Sequence, residues 1–160
     1  MTVSIKDIPD SGLSIDHEAV ERVASSYLLE NDEVAYLLRG VVSNDTFGDY
    51  KFLGSIEINC TLVCDKCLRE TPFNARSRIS EKFSREKSDS ATHFEGEKLD
   101  FSEVISAGIC DLLPMKILCT GDCRGLCSMC GKNLNEESCD CESPVDPRFA
   151  VLNSFFKEEV

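Results

Sequence analysis

The residues of this chain that could do chemistry are its cysteines, and most of them lie in one short stretch. Six of the ten cysteines fall within a single tail segment: Cys119, Cys123, Cys127, Cys130, Cys139 and Cys141. The two-residue gap between Cys127 and Cys130 lets two thiolates grip one tetrahedral ion from a tight turn, and Gly131 lets the backbone fold beneath it. The pattern predicts a structural zinc site, because four thiolates leave no open position for catalysis and suit zinc better than hard cations do.

A second CxxC pair, Cys64 and Cys67, brings the number of motif cysteines to eight, which is enough for two ions. Two arrangements remain open. In one, the two CxxC pairs share an ion and the other four tail cysteines hold another ion. In the other, tail residues alone hold a single ion and two thiols are spare. An iron–sulfur cluster is the main rival to zinc, because it also takes four thiolates.

The N-terminal residues and the lack of enzyme motifs narrow the class of protein. The N-terminal residues carry charges where an apolar signal core would sit, and no apolar run is long enough to span a membrane. We therefore expect a cytoplasmic protein, in which reducing conditions favour metal or thiol chemistry over disulfides. The sequence contains no glycine-rich phosphate loop, nucleophile elbow or HExxH pair, so we expect a protein that is not an enzyme.

Charge is distributed unevenly along the chain. The formal net charge is −12, and an acidic surface repels nucleic acid. Residues 51–85 are the exception, with seven basic and four acidic residues. Five basic residues of this segment are the predicted nucleic-acid contacts: Arg76, Arg78, Lys82, Lys66 and Arg69. The alternative is that they only form ion pairs with nearby acids, which are Glu57, Glu70 and Glu81.

An α+β fold is predicted to position these residues. Period-two runs near residues 34–42, 50–64 and 72–85 predict an antiparallel sheet, whose last two strands form a hairpin with the CxxC pair at its tip. Period-3.6 runs over residues 16–30 and 100–113 predict two helices packed on that sheet. The α+β class follows because strands and helices do not alternate along the chain.

Two further predictions concern the domains and the cysteines outside the motifs. We expect residues 1–114 to form the core domain and residues 115–160 to form a cysteine-rich, metal-binding tail. A closing helix is predicted to begin at Asp146 and Pro147. Cys60, on a strand, and Cys110, within the second helix, are predicted to be buried thiols of the core.

Four stretches of the sequence are distinctive when they are taken together. They are Cys-Asp-Lys-Cys-Leu-Arg at 64–69, Leu-Leu-Pro-Met at 112–115, the tail from Cys123 to Cys141, and Asp-Pro-Arg at 146–148. In this combination the chain resembles the bacterial YceD family, described as large ribosomal RNA subunit accumulation proteins. The resemblance implies a non-enzymatic ribosome biogenesis factor needed for 23S rRNA accumulation and large-subunit synthesis, with ribosomal RNA or a large-subunit ribosomal protein as its partner.

The resemblance brings no catalytic residues, and some members of that family lack the tail cysteines, so metal binding would stabilise this protein rather than define its function. Two other functions stay open. A zinc-stapled interaction module could bind a basic ribosomal protein, which the acidity of the chain favours. A thiol oxidoreductase could use Cys64 and Cys67, although such enzymes place the first cysteine at a helix N-terminus rather than in a hairpin turn. We expect no membrane and no small-molecule substrate among the partners.

Overall fold

The fold is built on one five-stranded sheet, which the computed structural model describes over residues 1–22, 33–45 and 48–141. The elements in chain order are β1 (Thr2–Ser4), a 3₁₀ turn (Ile5–Asp7), β2 (Leu13–Arg22), β3 (Glu33–Asn44), β4 (Tyr50–Val63), β5 (Glu70–Ser84), β6 (Thr92–His93), β7 (Lys98–Asp100) and α1 (Ser102–Leu112). The sheet has the spatial order β2-β3-β4-β5-β6, and β1 and β7 form a separate antiparallel pair. Pairing is antiparallel from β2 to β5, and only the two-residue β6 pairs in parallel.

The hairpin of β4 and β5 is the longest paired unit of the sheet. Its register runs without interruption from Tyr50 opposite Phe83 to Val63 opposite Glu70. This confirms the predicted hairpin and places residues 64–69, including the first CxxC pair, in the turn at its tip. Alternate side chains of both strands face the core and the others face outward, as the period-two pattern predicted.

Helix α1 covers the inner face of the sheet. Its buried residues are Val104, Ile105, Gly108 and Ile109. Just before it, the Phe101 ring packs edge-on against Phe52, with ring centroids 5.4 Å apart, and at a tilt of 52° against Phe83, with centroids 4.9 Å apart. No helix in the described part of the chain is both long and apolar enough to cross a membrane.

The helix predicted over residues 16–30 is wrong for its first part, which is strand β2. Leu13, Ile15 and their alternate neighbours face the core, and Asp16 pairs in register with Arg39 of β3. Val20, the first residue of the supposed apolar helix face, is 61% exposed on the outer side of the sheet. Residues 23–30, which supplied most of the helical pattern, and the predicted closing helix after Asp146 lie outside the described residues. The described structure therefore holds one α-helix, and the fold is mostly sheet.

The two cysteines predicted in the core have different outcomes. Cys60 on β4 is partly buried and packs against the main hydrophobic cluster. Cys110 is exposed, because α1 turns Gly108 and Ile109 toward the sheet and leaves the next residue facing solvent. Both thiols lie outside the CxxC pairs and the tail cysteines, and they serve below as controls.

By its internal contacts the chain divides into two compact units. Among the described residues, the first comprises residues 1–22, 33–45, 48–63 and 70–117, which form the sheets and α1, and the second comprises residues 64–69 and 118–141. The turn at the tip of the hairpin thus belongs to the cysteine-rich unit, although it lies between two strands of the sheet in sequence.

A pair of glycines at the centre of the sheet makes room for a buried aromatic ring. Gly40 of β3 lies directly opposite Gly54 of β4. A Cβ atom on Gly40 would come within 2.6 Å of Cε2 of Phe52, and one on Gly54 would come within 2.5 Å of Cζ of the same ring. Phe52 is fully buried, so the ring occupies the space that two side chains would otherwise take.

We expect Gly40→Ala to lower the free energy of unfolding by roughly 1–3 kcal/mol, because the added methyl group would meet the carbonyl oxygen of Leu53 at 2.5 Å as well as the Phe52 ring. Gly121→Ala is the matched control, since a Cβ atom at Gly121 meets nothing within 4 Å. Urea unfolding followed by circular dichroism gives both values. Equal unfolding midpoints for the two variants would contradict the packing described here.

Candidate metal centres and the basic face

Two hydrogen bonds and one left-handed residue define the backbone of the first CxxC turn. The N–H of Cys64 donates to the carbonyl of Arg69 at 2.9 Å, and the N–H of Leu68 donates to the carbonyl of Cys64 at 2.9 Å. Leu68 has a φ of 58°, a left-handed conformation that costs an ordinary residue roughly 1–2 kcal/mol. The turn accepts this conformation and presents Cys64 and Cys67 from the same side of a short loop.

The second CxxC turn repeats the first. The N–H of Cys127 donates to the carbonyl of Lys132 at 2.8 Å, and the N–H of Gly131 donates to the carbonyl of Cys127 at 2.9 Å. Gly131 has a φ of 72° and takes the place that Leu68 has in the first turn. Since glycine adopts this conformation without a steric penalty, the role predicted for Gly131 from the sequence fits the backbone.

The eight motif cysteines form two groups of four. The first is Cys64, Cys67, Cys119 and Cys123, and the second is Cys127, Cys130, Cys139 and Cys141. Within each group all the sulfur atoms lie within 4.8 Å of one another. This division matches neither arrangement left open by the sequence, because each CxxC pair combines with its own pair of tail cysteines. Each group could hold one metal ion.

Hydrogen bonds hold the first group together across the chain. The N–H of Leu126 donates to the carbonyl of Lys66 at 2.9 Å, and Nζ of Lys66 donates to the carbonyl of Cys123 at 3.1 Å. Nδ2 of Asn135 donates to Sγ of Cys123 at 3.4 Å. Leu118 and Leu126 pack against the buried cysteines. The hairpin turn and the tail are therefore joined by polar and apolar contacts as well as by the sulfur atoms.

In the first group, the pKa values of two neighbouring thiols are shifted in opposite directions. Burial raises the pKa of Cys64, but N–H groups of Cys119, Cys67 and Lys66 outweigh it and lower that pKa to about 6. The N–H of Arg69 lowers the pKa of Cys67, but burial and the hydrogen bond to Cys119 outweigh that effect and raise it to about 12. One thiol ionises readily and its neighbour does not.

The second group shows the same division. N–H groups of Cys130 and Met129 lower the pKa of Cys127 to about 6. The hydrogen bond from Cys141 to Cys130 raises the pKa of Cys141 to about 12. A dication would remove this conflict in both groups, because it stabilises thiolates and metal ligands bind as thiolates. Four sulfur donors suit zinc or an iron–sulfur cluster and do not suit oxygen-seeking cations.

Three of the five predicted nucleic-acid contacts have partners within the protein. Nζ of Lys82 lies 2.8 Å from Oδ2 of Asp49, and Arg69 forms an ion pair with Glu136. Lys66 donates to a backbone carbonyl in the cysteine-rich unit, as described above. These side chains are held by structural contacts.

Arg76 and Arg78 differ from the other three. Both are exposed on the outer face of β5, and in the described residues neither forms an ion pair with a carboxylate. Nη2 of Arg76 instead donates to Oγ of Ser55 at 3.1 Å. Glu57 lies opposite Arg76 in register without forming an ion pair with it. The predicted pairing of these two arginines with neighbouring acids is therefore absent from the described structure.

Sheet register adds a third arginine that the sequence did not indicate. Arg39 of β3 lies opposite Ser55, and Ser55 lies opposite Arg78. The three arginines and Ser55 line a shallow groove of about 690 Å³ on the outer face. Arg39 also contacts Asp16, with Nε 3.2 Å from both carboxylate oxygens. It was missed because it lies in the acidic first third of the sequence, and only pairing of β3 with β4 brings it to the basic segment.

The fold and the sulfur groups define a class: a mostly antiparallel sheet protein with a cysteine-rich unit able to hold metal ions. The family model for "Large ribosomal RNA subunit accumulation protein YceD" matches residues 52–156. Since the match covers well over half of the sequence, the chain belongs to the YceD family, as the resemblance of its motifs indicated. Searches of curated proteins and of solved structures found no match.

We expect Cys67→Ser to lower the bound zinc by one ion per chain and to destabilise the cysteine-rich unit. Binding of zinc to small modules contributes on the order of 10 kcal/mol to their folding, and a smaller effect is expected here because hydrogen bonds also hold the turn. Cys60→Ser is the control, since Cys60 belongs to neither group. Elemental analysis that finds equal zinc in the two variants would show that Cys67 is not a ligand.

Proposed function

We propose that this protein is a non-enzymatic assembly factor that supports accumulation of 23S ribosomal RNA by binding that RNA. Membership of the YceD family supports the ribosomal role. The observation that carries the RNA contact is the presence of two arginines, Arg76 and Arg78, that are exposed without a carboxylate partner in the described structure of an acidic protein.

The arginine groove, which Arg39, Arg76, Arg78 and Ser55 line, suits contact with a phosphate backbone better than contact with bases. Guanidinium groups bind phosphate oxygens through paired N–H donors, and such contacts supply most of the salt-dependent affinity for nucleic acid. Arg76, Arg78 and Ser55 offer donors along one groove. The outward positions of β2 to β5 carry no aromatic side chain on which a base could stack. The proposed contact is therefore to the backbone and shape of folded RNA.

The acidic remainder of the protein would orient this contact. The net charge of −12 repels a polyanion from most directions. The arginine groove is then the face on which RNA can approach at the lowest electrostatic cost. Lys82, which pairs with Asp49, would add to the local potential without direct phosphate contact.

In this proposal the metal ions have a structural role and are zinc. Two closed sets of four thiolates leave no ligand position for a substrate. Zinc would hold the hairpin turn and the tail in one unit. The loss of backbone conformational entropy on binding would be small, because hydrogen bonds already hold the turns in shape. Iron–sulfur chemistry would give the same ligand set a redox function, and metal analysis separates the two.

Thiol oxidoreductase activity finds less support. Cys64 is buried and lies in a hairpin turn, whereas a redox-active thiolate needs access to the disulfide of its substrate. Both Cys64 and Cys67 are also grouped with two further cysteines that would compete for a metal. A thiol-reactivity assay on folded, zinc-loaded protein is expected to leave these two cysteines unmodified.

A basic ribosomal protein is the second candidate partner, and the net charge of −12 favours it. Such a client would dock on acidic surface and would leave Arg76 and Arg78 unused. Affinity capture from cell lysate, with and without nuclease, distinguishes the partners. Loss of ribosomal components after nuclease treatment supports the RNA contact, and their retention supports the protein contact.

We expect the double variant Arg76→Glu and Arg78→Glu to bind 23S ribosomal RNA more weakly than the parent. Each lost phosphate contact is expected to reduce the slope of log affinity against log salt by about 1. Filter binding over a series of potassium chloride concentrations measures both quantities. Thermal stability is expected to change little, because both side chains are exposed.

The control is the double variant Lys87→Glu and Lys98→Glu, which changes the net charge by the same amount. Both lysines are exposed, and neither lies on β2 to β5. The proposal predicts a smaller loss of affinity and a nearly unchanged salt slope for this control. If the arginine variant binds RNA as the parent does, or if both variants lose affinity equally, the groove is not the RNA contact.

A further inference from the structure

The two sulfur groups differ in their exposure to solvent. In the first group Cys64 is 0% exposed, Cys67 is 5% exposed and Cys123 is 3% exposed, while Cys119 is partly buried. In the second group Cys130 and Cys141 are exposed, and Cys127 and Cys139 are partly buried. A chelator removes a metal by first contacting it, so access to the ion controls the rate of exchange. Equal sulfur donors would therefore release their ions at unequal rates.

The backbone supporting the two groups differs as well. Both halves of the first group are tied by hydrogen bonds that do not involve a metal, such as those from Leu126 to Lys66 and from Lys66 to Cys123. In the second group, the half made by the turn at Cys127 has comparable support. The other half, residues 138–141, makes no backbone–backbone hydrogen bond among the described residues. Among the described residues, the hydrogen bonds between this half and the turn run through the sulfur atoms.

We infer that the chain contains two zinc sites that differ in their rate of metal exchange. The slowly exchanging site, which joins the hairpin turn to the tail, is Cys64, Cys67, Cys119 and Cys123. The readily exchanging site is Cys127, Cys130, Cys139 and Cys141. The inference rests on the proposed binding of zinc. It adds that the two ions are held independently, and that the second ion follows the supply of free zinc. Loss of the second ion frees residues 138–141 and leaves the joint of hairpin turn and tail intact.

Exchange kinetics test this inference on the full chain loaded with zinc. The protein is mixed with an excess of the chromogenic chelator 4-(2-pyridylazo)resorcinol, and released zinc is followed by absorbance. We expect one ion per chain in a fast phase and one in a phase slower by about tenfold or more. Thiol alkylation after the fast phase is expected to modify Cys130 and Cys141 and to leave Cys64 and Cys67 unmodified. The amides of Leu68 and Leu126 are expected to keep their protection from hydrogen exchange.

Two variants assign the phases. The double variant Cys130→Ser and Cys141→Ser, altered only at exposed positions, is expected to keep one zinc ion and only the slow phase. The double variant Cys60→Ser and Cys110→Ser is the matched control and is expected to keep both phases. Release of both ions at one rate, or loss of both ions in the Cys130 and Cys141 variant, would overturn the inference while leaving zinc binding itself in place. Absence of zinc from the purified parent protein would overturn the zinc proposal and this inference together.

Discussion

Four sulfur atoms within 4.8 Å of one another cannot all ionise unless a cation shares their charge. Both groups show the consequence, since the pKa of Cys64 and of Cys127 is lowered while that of Cys67 and of Cys141 is raised. Hydrogen bonds and apolar contacts hold the thiols of the first group together, and a dication would relieve the repulsion between their thiolates. The order that we propose for the cysteine-rich unit depends on this relief.

The strands of the fold were predictable where one face of the sheet is buried. The period-two pattern of β3, β4 and β5 placed all three strands and the hairpin turn near their observed positions. The segment beginning at Leu13 was misjudged because its alternation is weak, with a histidine, an alanine and a glutamate on the inner side. Its apolar residues include Val20, which faces outward, so spacing within the segment imitated a helix. Pairing with β3 determined the outcome, and local sequence does not encode that pairing.

The site was predictable in its residue types and unpredictable in its pairings. Spacing singled out the eight cysteines that form the two sulfur groups, but which four meet depends on the positions that the hairpin turn and the tail adopt in three dimensions. The same limit applied to the basic residues. Arg76 and Arg78 were found from alternation along one strand, whereas Arg39 required the register between strands. The internal partners of Lys82 and Arg69 could not be predicted either, because they come from distant parts of the sequence.

Two zinc ions with sulfur-only coordination are proposed to organise the cysteine-rich unit. X-ray absorption at the zinc edge, measured on the purified full chain, gives the ligands of each ion. We expect two zinc ions per chain and a single shell of four sulfur neighbours at about 2.3 Å. A shell containing nitrogen or oxygen, or iron in place of zinc, would rule out this organisation.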